Sequence, residues 1–344
     1  MHVRELIARI ERVADPRLAA SWDKSGVQIA GIATECTRLA VTLDPLPYLV
    51  EQALDWGATC ILTHHPLTLS PRLPDRLDDY HRVLGLVLGR GAWLYAAHTS
   101  LDVRTDGPAG WLAEAVDMQN RRVLEPAGRL PHVQTRLRLP APGDRGRVMA
   151  LVRGRDRCQV LALTDRDLEL IHPEAAWPDL QAALTAICPG IAVVSALTLA
   201  SPADVYGYGL VGDLPAPLPF ARLGERLGEL LPHVFFRLAG EAPETVTRLA
   251  YCPGSGADMA PLAFAAGATV HITGDLKYHQ AQAVPSGHCI LDVGHFSLEE
   301  VMLRHFARDL AAQWGDAGPA IRYFPGTDPI APLFPDGTTS RRTE

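Results

Sequence analysis

The chain has 344 residues, a formal charge of -7, 47% hydrophobic residues and 21% charged residues. These values describe a folded protein rather than a disordered one, and the length exceeds the roughly 250–300 residues that one core fills, so two domains or a domain with an insert are expected. The acidic balance argues against nucleic acid as the main partner, no stretch approaches the ~20 apolar residues of a membrane span, and the charged start carries no signal-peptide core.

Val3, Leu6, Ile7, Ile10 and Val13 fall at helical spacing, so the chain opens with an amphipathic helix. Strand and helix then alternate. Strands are predicted over 38–44, 59–63 and 92–98, and helices over 46–56, 78–89 and 108–117. Short apolar strands interleaved with helices indicate a parallel or mixed sheet covered on both faces. From about 129 to 204 prolines and arginines rise and the motifs vanish. Four short strands (135–139, 148–153, 159–163, 167–171), a helix near 178–187 and a strand at 191–199 make a small α+β insert. Alternation resumes with helices over 218–231, 259–266 and 298–313 and strands over 248–252, 269–273 and 289–293. The expected organisation is an α/β core of two similar halves, 1–128 and 205–335, around an insert at 129–204, with a flexible tail at 336–344.

The six cysteines are scattered, with no CxxC pair. Neither a thiolate zinc site nor a disulfide scaffold is indicated, and the cytoplasm is the expected compartment. The 13 histidines are unevenly placed. Thr63-His64-His65-Pro66 follows an apolar strand, so both imidazoles lie at a strand's carboxyl end, where open α/β sheets bind ligands. Ala97-His98-Thr99-Ser100-Leu101-Asp102 follows another strand; His98 and Asp102 can supply two ligands, or one ligand and the group behind it. Asp292-Val293-Gly294-His295-Phe296-Ser297-Leu298-Glu299 follows a third. There the His and the acid stand four apart and share a helix face. Thr273-Gly274-Asp275-Leu276-Lys277-Tyr278-His279 follows a fourth, and its Asp275, Lys277 and His279 suit substrate binding or proton transfer. Pro253-Gly254-Ser255-Gly256 precedes a helix and offers backbone amides to a phosphate, but it is no P-loop.

Each group alone has an ordinary structural reading, as a surface pair, a turn or a helical hydrogen bond. Together they place His64, His65, Asp102, His295 and Glu299 at the ends of strands. Five nitrogen and oxygen ligands exceed the three of a single catalytic zinc. They suit two divalent ions, with zinc, iron and manganese all admitted. The 32 cationic residues include only two lysines, Lys24 and Lys277, and both fall within these motifs.

The motifs WDKSG, THHP, HTSLD, PGSG, TGDLKYH and DVGHFSLE, in that order, resemble the Nif-three-like family of dinuclear metal-centre proteins, or GTP cyclohydrolase type 2 homologues. The resemblance covers roughly 1–125 and 205–335. It implies two α/β halves enclosing a metal-bearing cleft, a hexameric toroid, and the same five ligands, with His98 close behind them and Lys277 and His279 lining the cleft. Lys24, Leu298 and Asp275 depart from the family's usual Asn, Thr and Glu, which leaves substrate preference open. The expected function is a two-metal hydrolase of a small nucleotide-like or phosphorylated compound. In it His98 or His279 moves the proton and Lys277 neutralises an anionic group. The alternative is a non-catalytic metal-handling or metal-delivery protein, or a regulatory adaptor.

Overall fold

A computed structural model describes residues 1–232 and 235–332. The tail expected to be flexible, 336–344, lies outside the described residues. The chain divides into two compact units, Met1–Glu125 with Gly207–Glu344, and Pro126–Tyr206.

The first unit opens with the helix Val3–Glu11, which buries Val3, Leu6 and Ile10 along one stripe. A five-stranded sheet follows, in the order Gly26–Ile29, Trp93–Ala96, Cys60–Thr63, Arg38–Thr42, Ala320–Tyr323. The Gly26–Ile29 edge pairs antiparallel and the other three pairings are parallel, so the sheet is mixed. Side chains alternate across it. Ala40, Ile61 and Leu94 pack under the helices Pro47–Asp55 and Asp79–Gly89 through Val50, Ala53, Val83 and Val87. Leu39, Val41, Leu62 and Tyr95 face the other way, into the main core.

The unit's second sheet runs in the order Gln119–Arg138, Ala192–Pro219, Thr245–Tyr251, Val270–Thr273, Cys289–Asp292, Arg237–Gly240. It too mixes parallel and antiparallel pairs. The 20-residue helix His295–Trp314 buries Leu298, Met302, Leu303, Phe306 and Leu310 in the core that both sheets share. Trp111 donates its indole N–H to Leu298 O at 3.1 Å, tying the first half to this helix. The chain then returns to the first sheet as Ala320–Tyr323, parallel to Arg38–Thr42.

The second unit has a β-α-β-β-α-β order: Gln119–Arg138, Arg145–Arg153, Gln159–Ala162, Asp167–Pro173, Trp177–Ile187, Ala192–Pro219. Its sheet order places Asp167–Pro173 between the second and first strands, the arrangement of a split βαβ fold. Leu137, Val148, Val152, Leu168, Leu170, Leu180 and Leu184 form its own core.

Three expectations are corrected. Residues 148–153, read as a strand, are helical: Val148 and Val152 sit four apart and bury one helix face, and the β-branched residues had mimicked a strand. The strands predicted at 135–139 and 191–199 are parts of much longer ones, Gln119–Arg138 and Ala192–Pro219. Pro126, Pro131, Pro202, Pro215, Pro217 and Pro219 interrupt the strand pattern in the sequence, although a proline whose missing N–H is not needed by the ladder is tolerated in a strand. The helix predicted from 298 begins at His295.

Candidate metal centre

Four strand ends of the first unit converge. Thr63 ends its strand with its hydroxyl donating to His65 O at 2.8 Å. The backbone N–H groups of His64 and His65 are held by Leu43 O at 3.1 and 3.0 Å. The turn is therefore fixed, and the two imidazoles lie 5.1 Å apart between ring centroids. His98 ends the neighbouring strand region, with its ring 5.2 Å from His64 and 5.5 Å from His65. Asp102 closes the short helix Thr99–Asp102 that follows. His295 and Glu299 arrive on the first turns of the central helix.

Each histidine has one nitrogen committed. His64 Nδ1 meets Ala97 O at 2.9 Å. His65 Nδ1 meets Asp44 at 2.7 Å, His98 Nδ1 meets Asp23 at 2.8 Å, and His295 Nδ1 meets Asp275 at 2.7 Å. A carboxylate or carbonyl on Nδ1 fixes the ring and its tautomer, leaving the Nε2 lone pair for another partner. The Nε2 atoms then gather on the acids. His64 Nε2 lies 3.5 Å from Glu299 and 3.7 Å from Asp102. His65 Nε2 and His295 Nε2 lie 3.1 and 2.9 Å from the same Glu299 oxygen.

These approaches are close but misaligned. Among the described residues, the buried atoms without a hydrogen-bond partner include His64 Nε2, Asp102 Oδ1, His295 Nε2 and Glu299 Oε2. One orphaned buried polar atom costs about 1–3 kcal/mol, so four facing one another ask for a cation between them. Two groups have ligand atoms close enough to share an ion: His64, His65 and His98, and His65, His295 and Glu299. These residues could hold a metal ion.

The electrostatics match. Burial would lower the His65 and His295 imidazoles, but Asp44 and Glu299 beside one, and Glu299 and Asp275 beside the other, push them up to about 10 and about 9. Burial raises the Asp102 carboxyl to about 6, against the pull of His64. Burial opposes ionisation of Glu299 as well, but His64, His295 and His65 hold it well below the carboxylate range. Asp23 also stays low despite its burial, because His98, Thr99 and Ser25 all donate to it. Without a metal, protons occupy the place that a cation would take.

Two glycines make the approach possible. A Cβ at Gly254, whose φ is +65°, would stand 2.3 Å from Glu299 Oε1. A Cβ at Gly274 would stand 2.4 Å from the backbone nitrogen of His295. The PGSG turn thus lies against Glu299, and the helix after it, Ala260–Ala265, is only six residues long. Asp275 also has a positive φ, 58°, a conformation that Asp tolerates and that turns its carboxylate onto His295.

Beside His65 and His295 opens a cavity of about 420 Å³, also lined by Leu43, Phe235, Arg237, Phe296 and Ile330. Lys277 and His279 are not brought to this place. Both are exposed, and neither lines the cavity among the described residues. Lys277 starts the helix Tyr278–Gln282, its N–H bonded to Gln280 at 2.7 Å, and the His279 ring packs on Tyr278. Sequence reasoning missed the groups behind the histidines. Asp44 follows the strand Arg38–Thr42, so the rule that singled out the other strand ends would have found it. Asp23 stood in WDKSG unnoticed. Arg237 carried no signal.

The sequence matches the family described as Duf34/NIF3 (NGG1p interacting factor 3) over residues 1–323. The chain belongs to this family. Curated Duf34/NIF3 relatives include a GTP cyclohydrolase 1 type 2 homolog of Bacillus subtilis, 24% identical over 93% of this chain and 95% of the relative. Another, of Listeria monocytogenes, is 23% identical over 90% and 92%. Among solved structures, a Bacillus cereus protein related to NIF3 superposes with a TM-score of 0.79 at 24% identity, covering 96% of this chain and 98% of that one. Staphylococcus aureus protein SA1388 gives 0.69 at 21%, again over 96% and 98%. At these identities the structural likeness speaks for the Duf34/NIF3 fold alone. No helix among the described residues is long and apolar enough to cross a membrane.

Proposed function

We propose that this Duf34/NIF3 protein holds two divalent metal ions at the strand ends and hydrolyses a small nucleotide-like or phosphorylated compound. One observation carries the reading: buried ligand atoms on His64, Asp102, His295 and Glu299 face one another without hydrogen bonds. The six donors His64, His65, His98, Asp102, His295 and Glu299 exceed the three protein ligands of a single catalytic zinc, which favours two ions over one. His98 joins the ligands in this reading instead of moving a proton, because its Nδ1 is held by Asp23 as the other histidines are held by their own partners. Asp44, Asp23 and Asp275 orient the imidazoles and keep their Nδ1 protons in place.

Bound there, divalent ions would supply Lewis acidity and a low-pKa water at neutral pH. Glu299, at the centre, balances their charge. Arg237, lining the adjoining cavity, is placed to meet an anionic substrate group, a role in which it replaces the exposed Lys277. The names of the curated relatives support a nucleotide-like substrate.

The test begins with metal per chain in protein purified from metal-replete cells. About two ions are expected, with large losses in His64→Ala and Glu299→Ala. Fewer than about one ion, unchanged in both variants, overturns the site. Nucleotides and small phosphoesters are then screened with and without chelator. Chelator-sensitive turnover supports the hydrolase; two ions in rapid exchange with no turnover on any of them would favour metal handling.

A further inference from the structure

The cavity beside the metal cluster carries information that the cluster does not. At about 420 Å³ it falls within the size range of small-molecule pockets and is larger than a bare phosphate needs. Each of its aspartates already accepts at least one hydrogen bond. Asp44 and Asp275 accept from His65 and His295. Asp292 accepts from Arg237 and from the backbone N–H groups of Leu276 and Gly294, each of these at 3.0 Å. Asp328 accepts the N–H of Ile330 at 2.8 Å. Much of the rest of the lining is hydrocarbon, which a hydroxyl-rich sugar phosphate would leave uncovered.

Beyond these carboxylates the lining offers apolar surface and one cation. Phe235, Phe296, Pro329 and Ile330 offer hydrocarbon. Ile330 is 69% exposed, and a large apolar side chain facing water beside a cavity gains by being covered. Arg237 has five N–H donors, Asp292 is the acceptor seen on it, and its side chain is 59% exposed, so donors are left for a ligand. Arginine in this setting favours phosphate or carboxylate.

We infer that this cavity binds the body of an aromatic phosphomonoester, with Arg237 on the anionic end and Phe235, Phe296 and Ile330 against the ring, and that it selects such compounds over hydrophilic sugar phosphates. This deepens the hydrolase reading and rests on it for the identity of the compound as substrate. The binding itself does not require that reading.

The experiment is a titration of the full chain, metal-loaded and metal-free, with 1-naphthyl phosphate, 1-naphthol, inorganic phosphate and glycerol phosphate. Metal content is measured on the same samples. 1-Naphthyl phosphate should bind at least tenfold more tightly than inorganic or glycerol phosphate. Arg237→Gln should weaken 1-naphthyl phosphate about tenfold and leave 1-naphthol unchanged. Ile330→Asn, at an exposed position that does not threaten the fold, should weaken both naphthyl compounds several-fold and leave inorganic phosphate unchanged. Equal affinity for 1-naphthyl and glycerol phosphate, or no response to either substitution, overturns the inference. Should the protein prove to hold no metal while the naphthyl preference and both variant effects persist, the inference stands and the metal reading falls. Two bound ions with no naphthyl preference would sink the inference and leave the metal reading in place.

Discussion

Gly254→Ala separates a site effect from a backbone effect. Gly254 has φ +65°, and the new Cβ would stand 2.3 Å from Glu299 Oε1 and 3.6 Å from His295 Cε1. Two costs follow. The first is the left-handed conformation, about 1–2 kcal/mol for an L residue. The second is the overlap with a carboxylate oxygen that must move. Glu299 is only 4% exposed and is surrounded by His64, His65 and His295, so it cannot retreat into solvent. Gly287→Ala is the matched control. Its φ is +74°, yet nothing lies within 4 Å of the added Cβ. Gly287→Ala should lose roughly 1–2 kcal/mol and melt a few degrees lower, and Gly254→Ala should lose at least as much. Metal affinity should diverge: Gly287→Ala keeps it, and Gly254→Ala loses about tenfold to a hundredfold, the scale of disturbing a ligand's support. The measurement is metal retained after dialysis against graded chelator, with melting temperature on the same samples. Equal metal retention in the two variants would refute the placement of Glu299 among the ligands.

Four further outcomes are expected. Metal binding should release protons at pH 7, because His65 and His295, raised to about 10 and about 9, are cationic in the metal-free protein and must lose those protons to coordinate. Affinity should therefore rise with pH up to about 9–10, and an indicator assay in weak buffer showing no proton release refutes this. The same shifts stabilise the metal-free fold fully below the ordinary histidine value of 6.5, and that stability is lost as pH rises through about 9–10. Asp102, raised to about 6, has already ionised over this window and adds no opposing slope. The melting temperature of metal-free protein should fall between pH 7 and 10. Asp275→Asn keeps a residue that tolerates positive φ but removes the charge behind His295, so metal affinity should fall about tenfold to a hundredfold with little change in melting. Phe306→Ala removes a fully buried ring from the central helix and should cost about 3–5 kcal/mol in a denaturant titration. A cost below ~1 kcal/mol would mean that this helix is not the shared core.

Much of the site was legible because strand ends are legible. Two apolar strands, Cys60–Thr63 and Trp93–Ala96, lie side by side in one sheet and each runs into a turn that carries histidine or acid, so the sheet brings those ends together without further information. That places His64, His65, His98 and Asp102 in one region. The groups behind the imidazoles were harder. Asp44 and Asp23 look like ordinary turn aspartates until an imidazole nitrogen is seen 2.7 or 2.8 Å away. Asp275 is a different case: its motif draws notice, but the sequence groups it with Lys277 and His279 for substrate binding or proton transfer and does not place it behind His295. The turn from strand to helix faces Asp275 toward His295 and leaves Lys277 and His279 on the exposed helix start. Alternation of polar residues in a motif does not say which of them turn inward when the backbone adopts positive φ at one of them.

The central helix explains why the two halves had to be read together. His295 and Glu299 precede a long apolar stripe, Leu298, Met302, Leu303, Phe306 and Leu310, that is buried in the core common to both sheets. The stripe fixes the rotation of the helix about its axis. With 3.6 residues per turn, that rotation also fixes where positions 295 and 299 point. Trp111 on Leu298 O and the strand Ala320–Tyr323 beside Arg38–Thr42 then lock the helix against the first half, whose strand ends carry His64 and His65. Packing of apolar residues thus sets the ligand geometry. A core substitution that lets the helix rotate should loosen the metal before it unfolds the chain. The insert had no comparable polar anchor in its sequence, and Val148 and Val152 could be read as a strand until their four-residue spacing was matched to a buried face.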